Sequence, residues 1–289
     1  MNWTRKSSFA FVTVTYILAI VALVVTFEAF PDRPMLAMLV GMLSATGVTF
    51  AASLIGNGSV FDAYWSVIPP VVFLLLLEQG GVGWTPLNIS LGVVLFAWGV
   101  RLTFNWARGW TGFPHEDWRY PKLYQESPLP TWLTMLLAVE AAPTLFIWLG
   151  SLPMVAATSS ETVGLGWLGW LALTVGLAAT LIELIADEQM WRFAQTKQPG
   201  DLMDRGLWRY SRHPNYFGEL LLWLSVWLFA LAADPGSGWT GIGLAAMIGL
   251  FVFISIPLLE ARSLDRRPGF DAYARRTSVL VPWFPRQEG

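Results

Sequence analysis

Roughly 17–25 largely apolar residues carry a helix across the hydrocarbon core of a bilayer. This chain supplies eight runs near that length: about 8–27, 36–56, 62–78, 86–106, 130–150, 164–186, 215–233 and 239–259. A backbone in hydrocarbon must satisfy its own hydrogen bonds, so such runs fold as helices packed into a bundle. Composition agrees: 55% of the residues are hydrophobic and 13% charged, about half the charge of an ordinary soluble domain. The expected fold is an all-α polytopic membrane bundle, a single integral domain over residues 1–289. The third run is short and carries Pro69 and Pro70, which predicts a kink and sets the count at seven to eight spans, with eight preferred. The first run follows Arg5 and Lys6, but it is long for a signal sequence and no small-residue cleavage site follows it. It reads as the first span.

The basic residues set the orientation. With a cytoplasmic N-terminus, eight spans put Arg5 and Lys6, the 107–129 loop, the 187–214 loop and the tail inside. Every Lys and Arg except Arg33 then falls on that side or at that end of a helix, while the outer connections carry Glu28, Asp32, Glu78, Glu161 and Asp234. This positive-inside pattern predicts an integral membrane protein with both termini cytoplasmic and the lipid bilayer as its constant partner. The chain has no Cys and two histidines, His115 and His213. Disulfides and thiolate chemistry are excluded, and neither a metal centre nor nucleic-acid binding is expected.

The segment richest in chemistry is LWRYSRHPNYFGE, 207–219. Pro214 suits a first helical turn, where its missing N–H costs nothing. Arg205, Arg209, Arg212 and His213 therefore gather at the mouth of an apolar helix, whose free N–H groups and dipole favour anions. Tyr210 and Tyr216 flank the same turn, and Asn215 and Glu219, four apart, share one helix face. Upstream lie Glu183, Asp187, Glu188, Arg192 and Lys197, with Asp187 placed to pair with Arg192 or to hold a ribose hydroxyl. Downstream, Glu260, Arg262, Arg266 and Tyr273 lead into FDAYARRTSVLVPW, which by folding back would bring Arg275 and Arg276 to the same anion site. The plainer alternative is that these are topogenic charges, helix-end ion pairs and a solvated charge run.

Two further sets lie in or near the spans. Asp62 and Tyr64 begin the third run, and Arg101 and Asn105 end the fourth. An Asp62–Arg101 pair would leave Tyr64 to hydrogen-bond a substrate carbonyl; the bland counterpart is a structural ion pair with aromatic anchors. Intramembrane carboxylates are costly, and Glu140 is expected to be hydrogen-bonded across helices. Trp65, Trp98, Trp106, Trp110 and Trp118 crowd the same region, mostly as interfacial anchors.

The string LWRYSRHPNYFGE, followed by an apolar hairpin and then E-x-R-S-L-x-RRPGFDAYARRTSVLVPW, resembles a bacterial membrane family of unknown function grouped with the steroid 5-alpha-reductases. The likeness is best over residues 61–285 and includes FDAYWSVIPP, RLTFNWARGW and IADEQMWRFAQTKQPGD. It implies NADPH-dependent reduction of a carbon–carbon double bond conjugated to a carbonyl, with a hydrophobic small molecule as substrate. On that resemblance Asn215 and Glu219 address the nicotinamide end and Asp187 is an acidic cofactor residue. Arg192, Lys197, Arg205, Arg209, Tyr210, Arg212, His213, Tyr216, Glu260, Arg262, Arg266, Tyr273 and Arg276 surround the rest of the cofactor, while Asp62 or Tyr64 polarises the carbonyl. Trp65-Ser66 and Trp98 stand where the steroid enzymes carry a Gln-Glu pair and a Tyr, so steroid specificity carries over less well than cofactor use. The same RHPxYxG string is shared with isoprenylcysteine carboxyl methyltransferases and phospholipid methyltransferases, which use S-adenosylmethionine, although Glu260-Ala261 replaces their paired glutamates. A non-enzymatic lipid binder is the third alternative.

Overall fold

Prolines and caps set where the helices begin. Thr4 closes a capping box over the first turn of α1, Arg5–Glu28, and a proline opens α2 (Pro34–Ser53), α4 (Pro86–Gly109) and α8 (Pro214–Ala233), where a missing N–H costs nothing. In the computed structural model, which describes residues 3–161 and 164–286, the remaining elements are α3 (Tyr64–Gly80), a short α5 (Arg119–Glu126) and α6 (Thr131–Thr158). They are followed by α7 (Gly166–Thr196), α9 (Pro235–Arg266) and a short α10 (Phe270–Arg276). Eight helices are long and apolar enough to cross a membrane, the third counted from Gly58 to Gly80. Among the described residues no strand forms; a single bridge joins Ser211 to Ser278.

α3 continues as one helix through Pro69 and Pro70. Pro70 cannot donate to the Ser66 carbonyl, and Gly99 of α4 sits against that carbonyl and the Pro70 ring, with no room for a Cβ. Close packing of a small residue in a neighbouring helix is how membrane bundles accommodate such a proline. α6 widens into a π-turn at Met135–Ala141 and α9 at Phe251–Ser255, each ending two residues before a proline, Pro143 and Pro257. A proline ring crowds the carbonyl four residues back, and a π-bulge in the preceding turn relieves it.

α7 and α8 form the most extensive helix pair, and α6 packs on α8 and α9. Small residues allow this: a Cβ at Gly218 would collide with Glu183, and one at Gly150 would meet the Trp223 ring. The polar ends collect at one end of the bundle. Arg5 at the start of α1 donates to the carbonyls of Trp110 and Ala107 at the end of α4, at 3.0 and 2.9 Å. The indole of Trp208, just before α8, donates to Ala186 of α7 at 3.0 Å.

Candidate functional site

The tail folds back on the approach to α8. Arg212 N–H donates to the Ser278 carbonyl at 2.8 Å, the Ser211 hydroxyl donates to Leu280 at 2.7 Å, and Trp283 N–H donates to Tyr210 at 2.9 Å. Arg212 is the fastener. Its Nε and one terminal nitrogen grip Glu260 at 2.7 and 3.2 Å, and the other terminal nitrogen donates to the carbonyls of Ala274 and Thr277. His213 adds a 3.1 Å contact to Glu260 and stacks on Tyr216. Arg212 and Glu260, expected on the cofactor, therefore also hold the protein to itself, while Arg212 lines the cavity described next.

Between this tail, the end of α7 and the start of α8 opens a cavity of about 730 Å³, within the range of small-molecule and cofactor sites. Lys197, Arg262, Arg266 and Arg267 line it, and among the described residues none of them has a carboxylate within ion-pair distance. Arg262 lies over the Trp118 ring, 3.8 Å from its centroid, which ties the 107–129 loop to the cavity wall. Asn215, Tyr216, His213 and Tyr273 also face it, and Asp201 is its acidic member. Burial raises the Tyr273 hydroxyl above its ordinary range; that hydroxyl donates to the Trp208 carbonyl.

Other expected residues lie elsewhere. Arg205, Arg209 and Arg276 line a second cavity of about 460 Å³, which shares Tyr273 with the first. Arg275 pairs with Asp271 on the exposed face of α10. Tyr210 rests edge-on against Phe284. Arg192 pairs with Glu188 at 2.6 Å rather than with Asp187.

Asp187 and Glu183 instead share Arg101 of α4, and Asn105 donates to Asp187 at 2.9 Å. The expected Asp62–Arg101 pair is not formed, because Arg101 points at α7 and Asp62 accepts from Tyr120 at 2.5 Å. Tyr64 is fully buried, stacked on Phe61, and its hydroxyl donates to the Met42 carbonyl at 2.7 Å, so it has no donor left for a substrate. Glu140 is buried as expected, accepting from Thr49 of α2 at 2.8 Å.

Glu219 lies one turn inside the membrane from Asn215 and is not among the cavity's lining residues. Its carboxylate accepts three indole N–H bonds: from Trp65 of α3 at 2.7 Å, from Trp98 of α4 at 3.0 Å and from Trp223 of its own helix at 3.0 Å. Trp65 and Trp98 are expected from sequence as anchors or as replacements for the steroid enzymes' polar residues, and Trp223 carries no such expectation. A buried indole N–H needs an acceptor, and a carboxylate in an apolar run needs donors; that mutual need is the signal that links them.

Fold and site together define a polytopic helical membrane protein with a cation-lined cavity at one end of the bundle. The chain belongs to the family described as Protein of unknown function (DUF1295), whose model matches residues 49–277. It is also similar to an uncharacterized protein, C594.04c, of the fission yeast Schizosaccharomyces pombe, at 27% identity over 261 residues, covering 81% of this chain and 74% of the relative. No solved structure matches it.

Proposed function

We propose that this protein is a membrane reductase that takes NADPH into the 730 Å³ cavity and reduces a conjugated carbon–carbon double bond in a lipidic enone. The observation that carries the reading is a set of cations with no ion-pair partner among the described residues, Lys197, Arg262, Arg266 and Arg267, in a cavity of cofactor size at the start of α8. Pyrophosphate and a 2′-phosphate call for several such charges, and arginine matches their oxygens with paired N–H donors. Asn215 offers a donor and an acceptor for a carboxamide, and Tyr216 and Trp118 supply flat apolar surface. The motif resemblance to the steroid 5-alpha-reductases points the same way.

NADPH supplies the hydride in this reading. The protein's own part is to orient and to exclude water. Arg101, Glu183 and Asp187 lock α4 to α7, and the three indole N–H bonds to Glu219 tie α3 and α4 to α8 one turn further along α8 than Asn215. Tyr64 is spent on Met42, and Asp62 accepts from Tyr120 and lines neither cavity, so neither of these two expected acids is placed to polarise a carbonyl in the larger cavity.

S-adenosylmethionine, cationic at sulfur, needs far fewer cations than NADPH, which sets a methyltransferase second, and a non-enzymatic lipid binder would leave the polar groups inside the spans, such as Glu183 and Glu219, without a chemical role. The test is protein reconstituted in nanodiscs and given NADPH with a panel of hydrophobic enones. Enone-dependent NADPH oxidation is expected; methyl transfer from S-adenosylmethionine without NADPH oxidation would overturn the reading.

A further inference from the structure

The second cavity calls for a different ligand. We propose that it binds the phosphate headgroup of an anionic phospholipid. Its cations are Arg205, Arg209 and Arg276, against one acidic residue, Asp204. Arg276 pairs with Asp204 at 2.9 Å, with both side chains more than a third exposed, whereas Arg205 and Arg209 have no ion-pair partner among the described residues. The cavity is therefore short of negative charge.

Its surroundings are apolar on one side. Pro285 lines the cavity, and the residues before it are among the most exposed aromatics of the chain: Trp283 at 70% and Phe284 at 77%. Backbone bonds hold them there: Trp283 N–H to Tyr210 and Arg286 N–H to Arg276, both 2.9 Å. Exposed Trp and Phe beside arginines, just before the point where α8 enters its apolar run, fit the headgroup level of a bilayer. A soluble dinucleotide has no use for that apolar skirt; an acyl chain does.

Tyr273, 3% exposed, lines both cavities, with its hydroxyl on the Trp208 carbonyl. Because Tyr273 and Arg276 belong to the same short helix, a lipid phosphate drawing on Arg276 steadies the wall of the larger cavity. This assignment is independent of what the larger cavity binds.

The test is thermal unfolding of the full-length protein in mild detergent with added phosphatidylglycerol, phosphatidylcholine, inorganic phosphate or NADPH. Phosphatidylglycerol is expected to raise the midpoint and phosphatidylcholine and inorganic phosphate to leave it unchanged, since a ligand of the native state alone stabilises it. The double variant Arg205→Ala/Arg209→Ala is expected to lose most of the phosphatidylglycerol response while keeping the wild-type response to NADPH. No response to phosphatidylglycerol, an equal response to free phosphate, or joint loss of the lipid and NADPH responses would each overturn the assignment. Should the double variant fail to fold, native mass spectrometry of the wild type decides. A retained phosphatidylglycerol that excess NADPH does not displace is expected; none retained, or displacement by NADPH, contradicts it.

Discussion

Arg212, just ahead of α8, and Glu260, near the end of α9, form a two-point ion pair with only 10% and 20% of their side chains exposed. Around this pair the tail is docked: the same guanidinium also holds the carbonyls of Ala274 and Thr277. Removing one partner of a buried pair leaves the other uncompensated, at a cost of about 3 kcal/mol. Arg212→Ala is expected to release the tail, seen as rapid hydrogen exchange and proteolysis over 267–286. Arg212→Lys keeps the charge but not the fork, and is expected to recover only part of the protection.

Arg101 faces two carboxylates, Glu183 and Asp187. Arg101→Ala strands both in a buried site and is expected to destabilise the fold by about 3–5 kcal/mol, measured as lost thermal stability in detergent. Adding Glu183→Gln is expected to restore part of the loss, because the second change removes one stranded charge. If the double variant is no better than the single one, the pairing is not what holds α4 to α7.

Glu219→Gln replaces two acceptor oxygens with one oxygen and an NH₂ group that faces an indole N–H. The expected cost is about 1–3 kcal/mol for the unsatisfied donors. A change in tryptophan fluorescence should accompany it, since either Trp98 on one oxygen, or Trp65 and Trp223 on the other, lose their acceptor.

In the loop that roofs the larger cavity, burial pushes the Asp117 carboxyl up, but hydrogen bonds and charge from Arg119 outweigh it and leave the group below its ordinary value of 3.8. A depressed folded pKa contributes stability above the unfolded value and loses it as pH falls through the folded one. Wild type is therefore expected to be more stable than Asp117→Asn at neutral pH, with the gap closing only below about pH 4. A gap that closes between pH 5 and 7 would contradict the Arg119 pairing.

The spans were legible because length and apolarity alone decide them, and the basic residues correctly collected the loops and tail at one end. The π-turns were less so, although Pro143 and Pro257 marked both places. Residue types at the site were legible too: Lys197, Arg262, Arg266, Asn215 and Tyr216 do line one cavity. What the string could not show is which charges neutralise each other. Arg212 looks like a phosphate ligand in sequence and spends its donors on Glu260 and two carbonyls. Arg101 is read as the partner of Asp62 and finds two carboxylates on α7. Pairing depends on helix rotation, which hydropathy does not encode. Arg267 went unread because it follows Arg266 in a run that looks solvated.

Equilibrium binding to the purified protein shows whether Lys197, Arg262, Arg266 and Arg267 hold the phosphates of NADPH. NADPH is expected to bind saturably and more tightly than NADH. Arg262→Ala and Arg266→Ala are each expected to weaken it roughly tenfold, the equivalent of about 1.4 kcal/mol for a charge-assisted contact. No saturable binding of NADPH, or binding that neither substitution alters, would contradict the account.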